Sequence, residues 1–268
     1  MVYSMTIKNK NNGFSLIELA MVLFILSLMM GSFLTPLATS LEQRDREKTS
    51  ELLEEVRESL IGYALVNGHL PCPDCPTAAT NANCASAALT VNNGIEDGVV
   101  AGVGTSPRAA NFASCATSVG NLPWVTLDVP ENDAWGNHFI YQVTDVFADD
   151  TDGTGANCAN PAVGISFCLG SSNDAVISVN DANGVSVATN VPVLVVSTGN
   201  STVDFANLTV AQIAALSAAE QENLDGLADS LFIANDYIKT DGAAFDDMLM
   251  WISPSLLMYQ MVRAERLP

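Results

Sequence analysis

Basic residues are scarce in this chain. Among 268 residues there are 10 Lys and Arg against 30 Asp and Glu, a formal charge of −20. Two of the ten, Lys8 and Lys10, precede Gly13, so a chain beginning at Phe14 keeps 8 basic residues against the same 30 acids. Such a surface repels phosphate backbones and anionic headgroups, which argues against direct nucleic-acid binding and favours divalent cations or a basic partner protein. Histidine is scarcer still, at two, and His69 and His138 are too isolated to form an acid/base pair. No GxSxG, HExxH, Walker loop or dinucleotide fingerprint occurs, and no internal repeat is evident. The sequence calls for no enzyme.

What the chain has in quantity is apolar side chains, 49% of the total, enough to bury a sizeable core in one anchored domain. From Leu19 to Ala38 no charged residue occurs. At ~1.5 Å rise per residue this run can cross a ~30 Å hydrocarbon core. The polar, basic leader comes before the apolar run, so cleavage at Gly13 would retain the anchor, unlike a secretory signal peptide. Lys8 and Lys10 place the leader in the cytoplasm and the residues beyond about 40 outside. Gly31 and Pro36 interrupt the helix interior, where a proline removes one backbone bond.

One acid stands at the start of this run, Glu18. A carboxylate in hydrocarbon is costly unless paired with a counter-charge. The alternative is that Glu18 snorkels to the interface; pairing is favoured.

Gly13, Phe14, Ser15, Leu16, Ile17, Glu18 and the apolar run that follows resemble the class III signal of type IV pilins and type II secretion pseudopilins. The resemblance implies that a membrane-embedded prepilin peptidase cuts after Gly13 and methylates the amine of Phe14. It implies that Glu18 meets the amine of a neighbouring subunit and registers it during assembly. The implied partners are other pilin or pseudopilin subunits, the prepilin peptidase and an inner-membrane assembly platform. The implied location is the bacterial inner membrane with a periplasmic head, and later the pilus or pseudopilus.

Beyond Thr39 the pattern becomes amphipathic, with Leu52, Leu53, Val56, Leu60, Ile61 and Leu65 at helical spacing on a face that packs against the head. Glu42 with Arg46, Arg44 with Lys48, and Glu54 with Glu58 mix favourable and unfavourable pairs, so the outer face reads as solvated. Gly68 and the prolines of "HLPCPDCP" end the helix. Residues 72–121 read as loop with little regular structure. Strands are expected at 137–144, 174–179, 191–198 and over "FDDMLMWIS". Capping boxes at Thr209 with Gln212 and Ser217 with Glu220 predict a short helix, and Pro254 opens a C-terminal one. The fold class is α+β, a pilin-like roll in which a long N-terminal helix lies on a small antiparallel sheet with disulfide-containing loops. Its domains are a leader over 1–13, a transmembrane half-helix over 14–38, a stalk over 39–67 and a globular head over 68–268. The stretches "LPWVTLDVPENDAWGNHFIYQV", "VLVVSTGN" and "FDDMLMWIS" resemble pseudopilin heads. Large prepilin-like proteins carry a similar "LPCPD" segment after the stalk.

Six cysteines, Cys72, Cys75, Cys84, Cys115, Cys158 and Cys168, all lie beyond the apolar run. With the basic flank inside they face an oxidising compartment, and structural disulfides are favoured over a zinc site or a redox pair in "CPDC". Cys158 with Cys168 is the preferred pair; the other four allow three connectivities. No cofactor is certain, and calcium is the candidate. Asp149, Asp150 and Asp152 form an oxygen-rich turn without EF-hand spacing. The resemblance to the major pseudopilin, calcium-bound in its C-terminal loops, points instead to Gly199 with Asp246 and Asp247, although Asn200 and a long insertion depart from that pattern. A solvated acidic loop is favoured over a bound ion. Trp135 and Gly136 read as a tight turn and core packing, and the methionines of "LMYQMV" as core.

The reading is a structural pilus or pseudopilus subunit, with the size of the head favouring a minor or specialised one. A pilus-presented adhesin or binding module is the alternative. A membrane-tethered thiol oxidoreductase using Cys72 and Cys75 is a third class.

Overall fold

The computed structural model describes residues 15–76, 84–85, 89–100, 104–107, 114–148, 175–201, 210–239 and 244–267. Two compact units are defined, Met1–Asp45 and Arg46–Pro268.

Helix α1 spans Leu16–Asn67 and runs through Gly31 and Pro36. Ser15 starts it: its hydroxyl and its carbonyl both accept from the Glu18 N–H, at 3.2 and 3.1 Å, the geometry of an N-cap. Gly68 stops it, at φ 83°, with its N–H on the Ala64 carbonyl at 2.8 Å, because the left-handed cap suits a residue without Cβ. The last carbonyls are satisfied from the other end of the chain. Arg266 Nε donates to Leu65 O at 2.6 Å and Nη2 to Val66 O, placing a cation at the negative end of the helix dipole.

In the second unit the strands are β1 (Asp97–Val100), β2 (Gly104–Pro107), β3 (Ser114–Cys115), β4 (Val119–Asn121), β5 (Ile140–Val143), β6 (Ile177–Asp181), β7 (Ser186–Val191), β8 (Val193–Ser197), β9 (Leu231–Ala234) and β10 (Met248–Ile252). The helices after α1 are α2 (Trp124–Leu127), α3 (Val210–Ile213), α4 (Ala218–Asp229) and α5 (Pro254–Arg263). A four-stranded antiparallel sheet in the order β10-β8-β5-β4 is the centre of the unit. Every residue of β5 and β8 is buried, because alternate side chains point to two different cores. Tyr141, Val143, Val193 and Val195 pack with Leu53, Val56 and Leu60 of α1 and with Leu257, Met258 and Met261 of α5. Ile140, Leu194 and Val196 pack with Ile177, Val179, Val191 and Phe232 of the neighbouring sheet. The expected stripe on α1 is thus a core face, and the methionines of α5 are core. The expected C-terminal helix starts as the sequence indicated, with Pro254 in its first turn and the Ser253 hydroxyl accepting from Leu256 N.

Two expectations need correction. Among the described residues the head holds not one small antiparallel sheet but three, and the sheet β7-β6-β9 contains a parallel pair, β6 with β9. Residues 72–121 are not merely loop: β1 to β4 lie there, with β2-β1-β3 forming their own sheet. These strands lack apolar alternation because backbone pairing and cross-links hold them.

Among the described residues no helix is long and apolar enough to cross a membrane. The side chains at 28 and 30–38, half of the expected span, lie outside the described residues.

Candidate functional site

Three places carry the residues singled out by the sequence. The first is the start of α1. Leu16, Ile17, Met21 and Phe24 are 90, 70, 64 and 66% exposed, and Leu19, Val22, Leu23, Ile25, Leu26 and Met29 are exposed as well. Residues three and four apart share a helix face, so these positions cover the whole circumference; this is not a stripe seeking one core. Glu18 is the acidic residue of the first turn. Gly13 and Phe14 lie outside the described residues.

The second is the segment Leu70–Cys75, entirely buried, which explains "LPCPDC" residue by residue. The Leu70 N–H donates to Phe147 O at 2.6 Å. The Pro71 carbonyl accepts from the Tyr141 hydroxyl at 2.8 Å. Cys72 is bonded to Cys115 and Cys75 to Cys84, one of the three connectivities open to these four. Zinc ligation and a free redox pair are set aside for them accordingly; Cys158 and Cys168 lie outside the described residues. The Pro73 carbonyl accepts from Asp97 N at 3.2 Å, and Asp74 exchanges backbone bonds with Asn121. The Asp74 carboxylate accepts from the N–H groups of Gly94 and Asn93, at 2.9 and 3.4 Å. The segment therefore straps the end of α1 to the central sheet and to β1.

Sequence reading missed the acids that meet this strap. Glu96 accepts from the Tyr63 hydroxyl at 2.7 Å and from Cys72 N at 3.3 Å, and Asp97 Oδ2 accepts from Cys75 N at 3.0 Å. Burial pushes the Asp74 carboxyl up to about 7, although the N–H groups of Gly94 and Asn93 pull the other way. Burial likewise raises Asp97 to about 6, and its Oδ1 has no partner. Adjacent Glu-Asp in a glycine-flanked run, "GIEDG", gave no signal that both would be buried.

The third is around Asp246 and Asp247. Glu220, Asp246 and Asp247 bring carboxylate oxygens within 4.8 Å of one another. Ser217 and Glu220 form the expected capping box at the start of α4: Glu220 N donates to the Ser217 hydroxyl at 3.3 Å, and Ser217 N to Glu220 Oε2 at 3.0 Å. The other oxygen, Oε1, accepts from Asp246 N at 3.2 Å. Asp246 Oδ2 accepts from Asn200 N at 3.0 Å and Asp247 Oδ2 from Asn223 Nδ2 at 2.7 Å. Gly199, at φ +59°, lets the turn approach: a Cβ there would lie 2.6 Å from Asp246 O. Burial pushes Asp247 up to about 8 and Asp246 to about 6, with the neighbouring carboxylates adding to both.

The donor type suits a hard cation such as Ca²⁺. Four of the six oxygens are engaged by protein N–H or O–H groups, and Asp246 Oδ1 is buried without a partner. As arranged, most of its oxygens accept hydrogen bonds from the protein, and burial favours the protonated forms of Asp246 and Asp247. Glu220 was flagged in sequence only as a cap, since nothing local tells that a cap 26 residues upstream meets Asp246. Asp149, Asp150, Asp152 and Thr209 lie outside the described residues.

The histidines build no acid/base pair with each other. His69 is buried with Nδ1 3.0 Å from Leu70 O, and His138 stacks on Trp124 and pairs with Glu131. Trp135 and Gly136 form the tight turn expected: the Asp133 carboxylate accepts from Trp135 N, and Gly136 has φ 90°; the expected core packing does not follow, since Trp135 is only half-buried and Gly136 is exposed.

Residues 8–34 match the family model of the prokaryotic N-terminal methylation motif. The chain carries this signature of prepilin-type substrates, of the type IV pilin and pseudopilin kind. Among curated proteins and among solved structures nothing matches.

Proposed function

We propose that this protein is a structural subunit of a type IV pilus or type II secretion pseudopilus, and not an enzyme. It is inserted in the inner membrane through residues 14–38, cut after Gly13 by the prepilin peptidase, methylated on Phe14, and assembled through its apolar helix. The observation that carries the reading is the coincidence of the methylation motif with a helix start exposed all round and bearing one acid, Glu18. An apolar surface of this extent needs lipid or like helices around it. Glu18 pairs with the amine of the next subunit, and the second unit stands outside the membrane as the head. Its size favours a minor or specialised position.

Intact mass and N-terminal sequencing of the protein from its native membrane test this directly. The expected product begins with methylated Phe14, and Gly13→Val leaves the chain uncut. A native chain still beginning at Met1, or normal processing of Gly13→Val, overturns the assignment.

A further inference from the structure

Three carboxylates join the strap Leu70–Cys75 to the turn at 93–97. The Cys72 N–H donates to Glu96 Oε2 and the Cys75 N–H to Asp97 Oδ2, at 3.3 and 3.0 Å. In return the Asp74 carboxylate holds the N–H groups of Asn93 and Gly94. A strand ladder closes such contacts with backbone carbonyls, which do not titrate. Here side chains that do titrate stand in their place, and they are out of water: Asp74 and Asp97 are 0% exposed and Glu96 4%.

The groups packed around these acids do little to stabilise negative charge. The charges acting on Asp74 and Asp97 are themselves carboxylates, Asp97 on the first and Glu96 on the second. From α1 the Tyr63 hydroxyl meets Glu96, and His69 lies edge-on to the Tyr63 ring at 5.6 Å. From β5 the Tyr141 hydroxyl turns to the Pro71 carbonyl. Cys115 of β3 and Cys84 are held in disulfides with Cys72 and Cys75 and do not titrate. Asp97 Oδ1 has no partner, so an ionised Asp97 would keep one oxygen buried and bare. That cost falls on the charged form alone.

We infer that the strap is a proton-operated latch, closed while the carboxyls of Asp74 and Asp97 hold protons and loosened when they ionise. Opening returns both groups to water, where a carboxyl titrates near 3.9; in the closed strap burial holds them at about 7 and about 6. Closure is therefore fully favoured below the open-state value and is lost as pH rises through the closed-state values. Both cysteines of the strap are cross-linked, so the change is a local shift and not unfolding. What it governs is the seat of the end of α1, through Tyr63 on Glu96 and Leu70 on Phe147. The latch works within the head and does not depend on filament assembly.

Native-state hydrogen exchange of the full chain tests this in detergent micelles with the disulfides intact, from pH 5 to pH 8, each rate being referred to its intrinsic value at that pH. Protection of the Cys72, Cys75 and Gly94 amides is expected to fall on the order of a hundredfold over this range, and that of β5 and β8 much less. Asp97→Asn keeps an acceptor for the Cys75 N–H and cannot ionise, so it shrinks the fall about tenfold. Adding Asp74→Asn removes the rest. Flat wild-type protection, or a fall shared equally by β5 and β8, overturns the latch, and this reading needs no variant. A fall of wild-type size in Asp97→Asn with Asp74→Asn overturns it as well.

Discussion

In the first unit Leu16, Ile17, Met21 and Phe24 stand exposed around a helix, whereas in the second Val56, Leu60, Phe139 and Tyr141 are fully buried. Both stretches of α1 are rich in apolar residues, but only the second has its own core to pack on. The first has no charged side chain between Glu18 and Glu42; the second alternates buried Leu53, Val56 and Leu60 with exposed Glu51, Glu55 and Glu58. Apolar content alone does not place a residue inside. The spacing of charge decides whether a helix stabilises its own fold or awaits a lipid or protein partner.

The largest effect expected separates the two units. Glu18→Leu leaves the melting temperature of the head unchanged and removes the subunit from sheared filaments, read by immunoblot of the filament fraction. Incorporation at the wild-type level would reduce Glu18 to an interfacial residue. A complementary lesion, Leu60→Ala, costs about 2–5 kcal/mol in head stability through the cavity it leaves, visible as a lower urea midpoint.

Next in size is the strap. Cys72 and Cys115 are 43 residues apart and Cys75 and Cys84 only 9. Loop entropy makes the first bridge worth about 4 kcal/mol and the second about 3. Cys72→Ser with Cys115→Ser therefore lowers the urea midpoint more than Cys75→Ser with Cys84→Ser. The reverse order would show that the short bridge, which closes the turn beside Asp97, governs the strap.

Acidity gives the third test. Asp74, Asp97, Asp246 and Asp247 all have pKa values raised by burial, to about 7, 6, 6 and 8. In the unfolded chain such groups titrate near 3.9. The folded head thus holds protons that the unfolded chain gives up. This contribution to stability is fully present below about pH 4 and is lost as pH rises through the folded values. The melting temperature of the head should fall between pH 5 and pH 8, and Asp247→Asn should flatten the slope, recovering on the order of 1 kcal/mol at pH 8. A head most stable at pH 8, with Asp247→Asn unchanged in slope, would mean that a cation or a rearranged partner neutralises the cluster.

The parts legible in sequence were those with short-range signals. The α1 stripe, Gly68, the Ser217 box and Pro254 are local patterns, and β5, β8 and β10 are apolar runs bounded by turn residues. Strand β7, "SVATNV", is mostly exposed on a sheet edge, and β9, four residues long, pairs in parallel with β6 from far upstream. Neither carries an alternation that distinguishes it from loop. The buried acids were illegible for the same reason: Asp74 beside Gly94, and Glu220 beside Asp246, are brought together by tertiary folding. Arg46 was read as part of a solvated face, but Tyr237 lies nearly two hundred residues away in sequence and covers it.

The smallest effect sharpens the comparison within the head itself. Glu220 serves both the cap of α4 and the carboxylate cluster, and two substitutions separate the roles. Ser217→Ala removes the cap and costs about 1 kcal/mol at any pH. Glu220→Gln keeps an oxygen to accept from Ser217 N while removing the charge that raises Asp246 and Asp247, so its cost shrinks as pH rises from 5 to 8 and the repulsion it relieves grows. Hydrogen exchange of α4, followed at both pH values, reads the difference: Ser217→Ala lowers protection equally at each, and Glu220→Gln lowers it less at pH 8. Parallel behaviour of the two variants would leave Glu220 as a cap alone and place the raised carboxyls outside its influence.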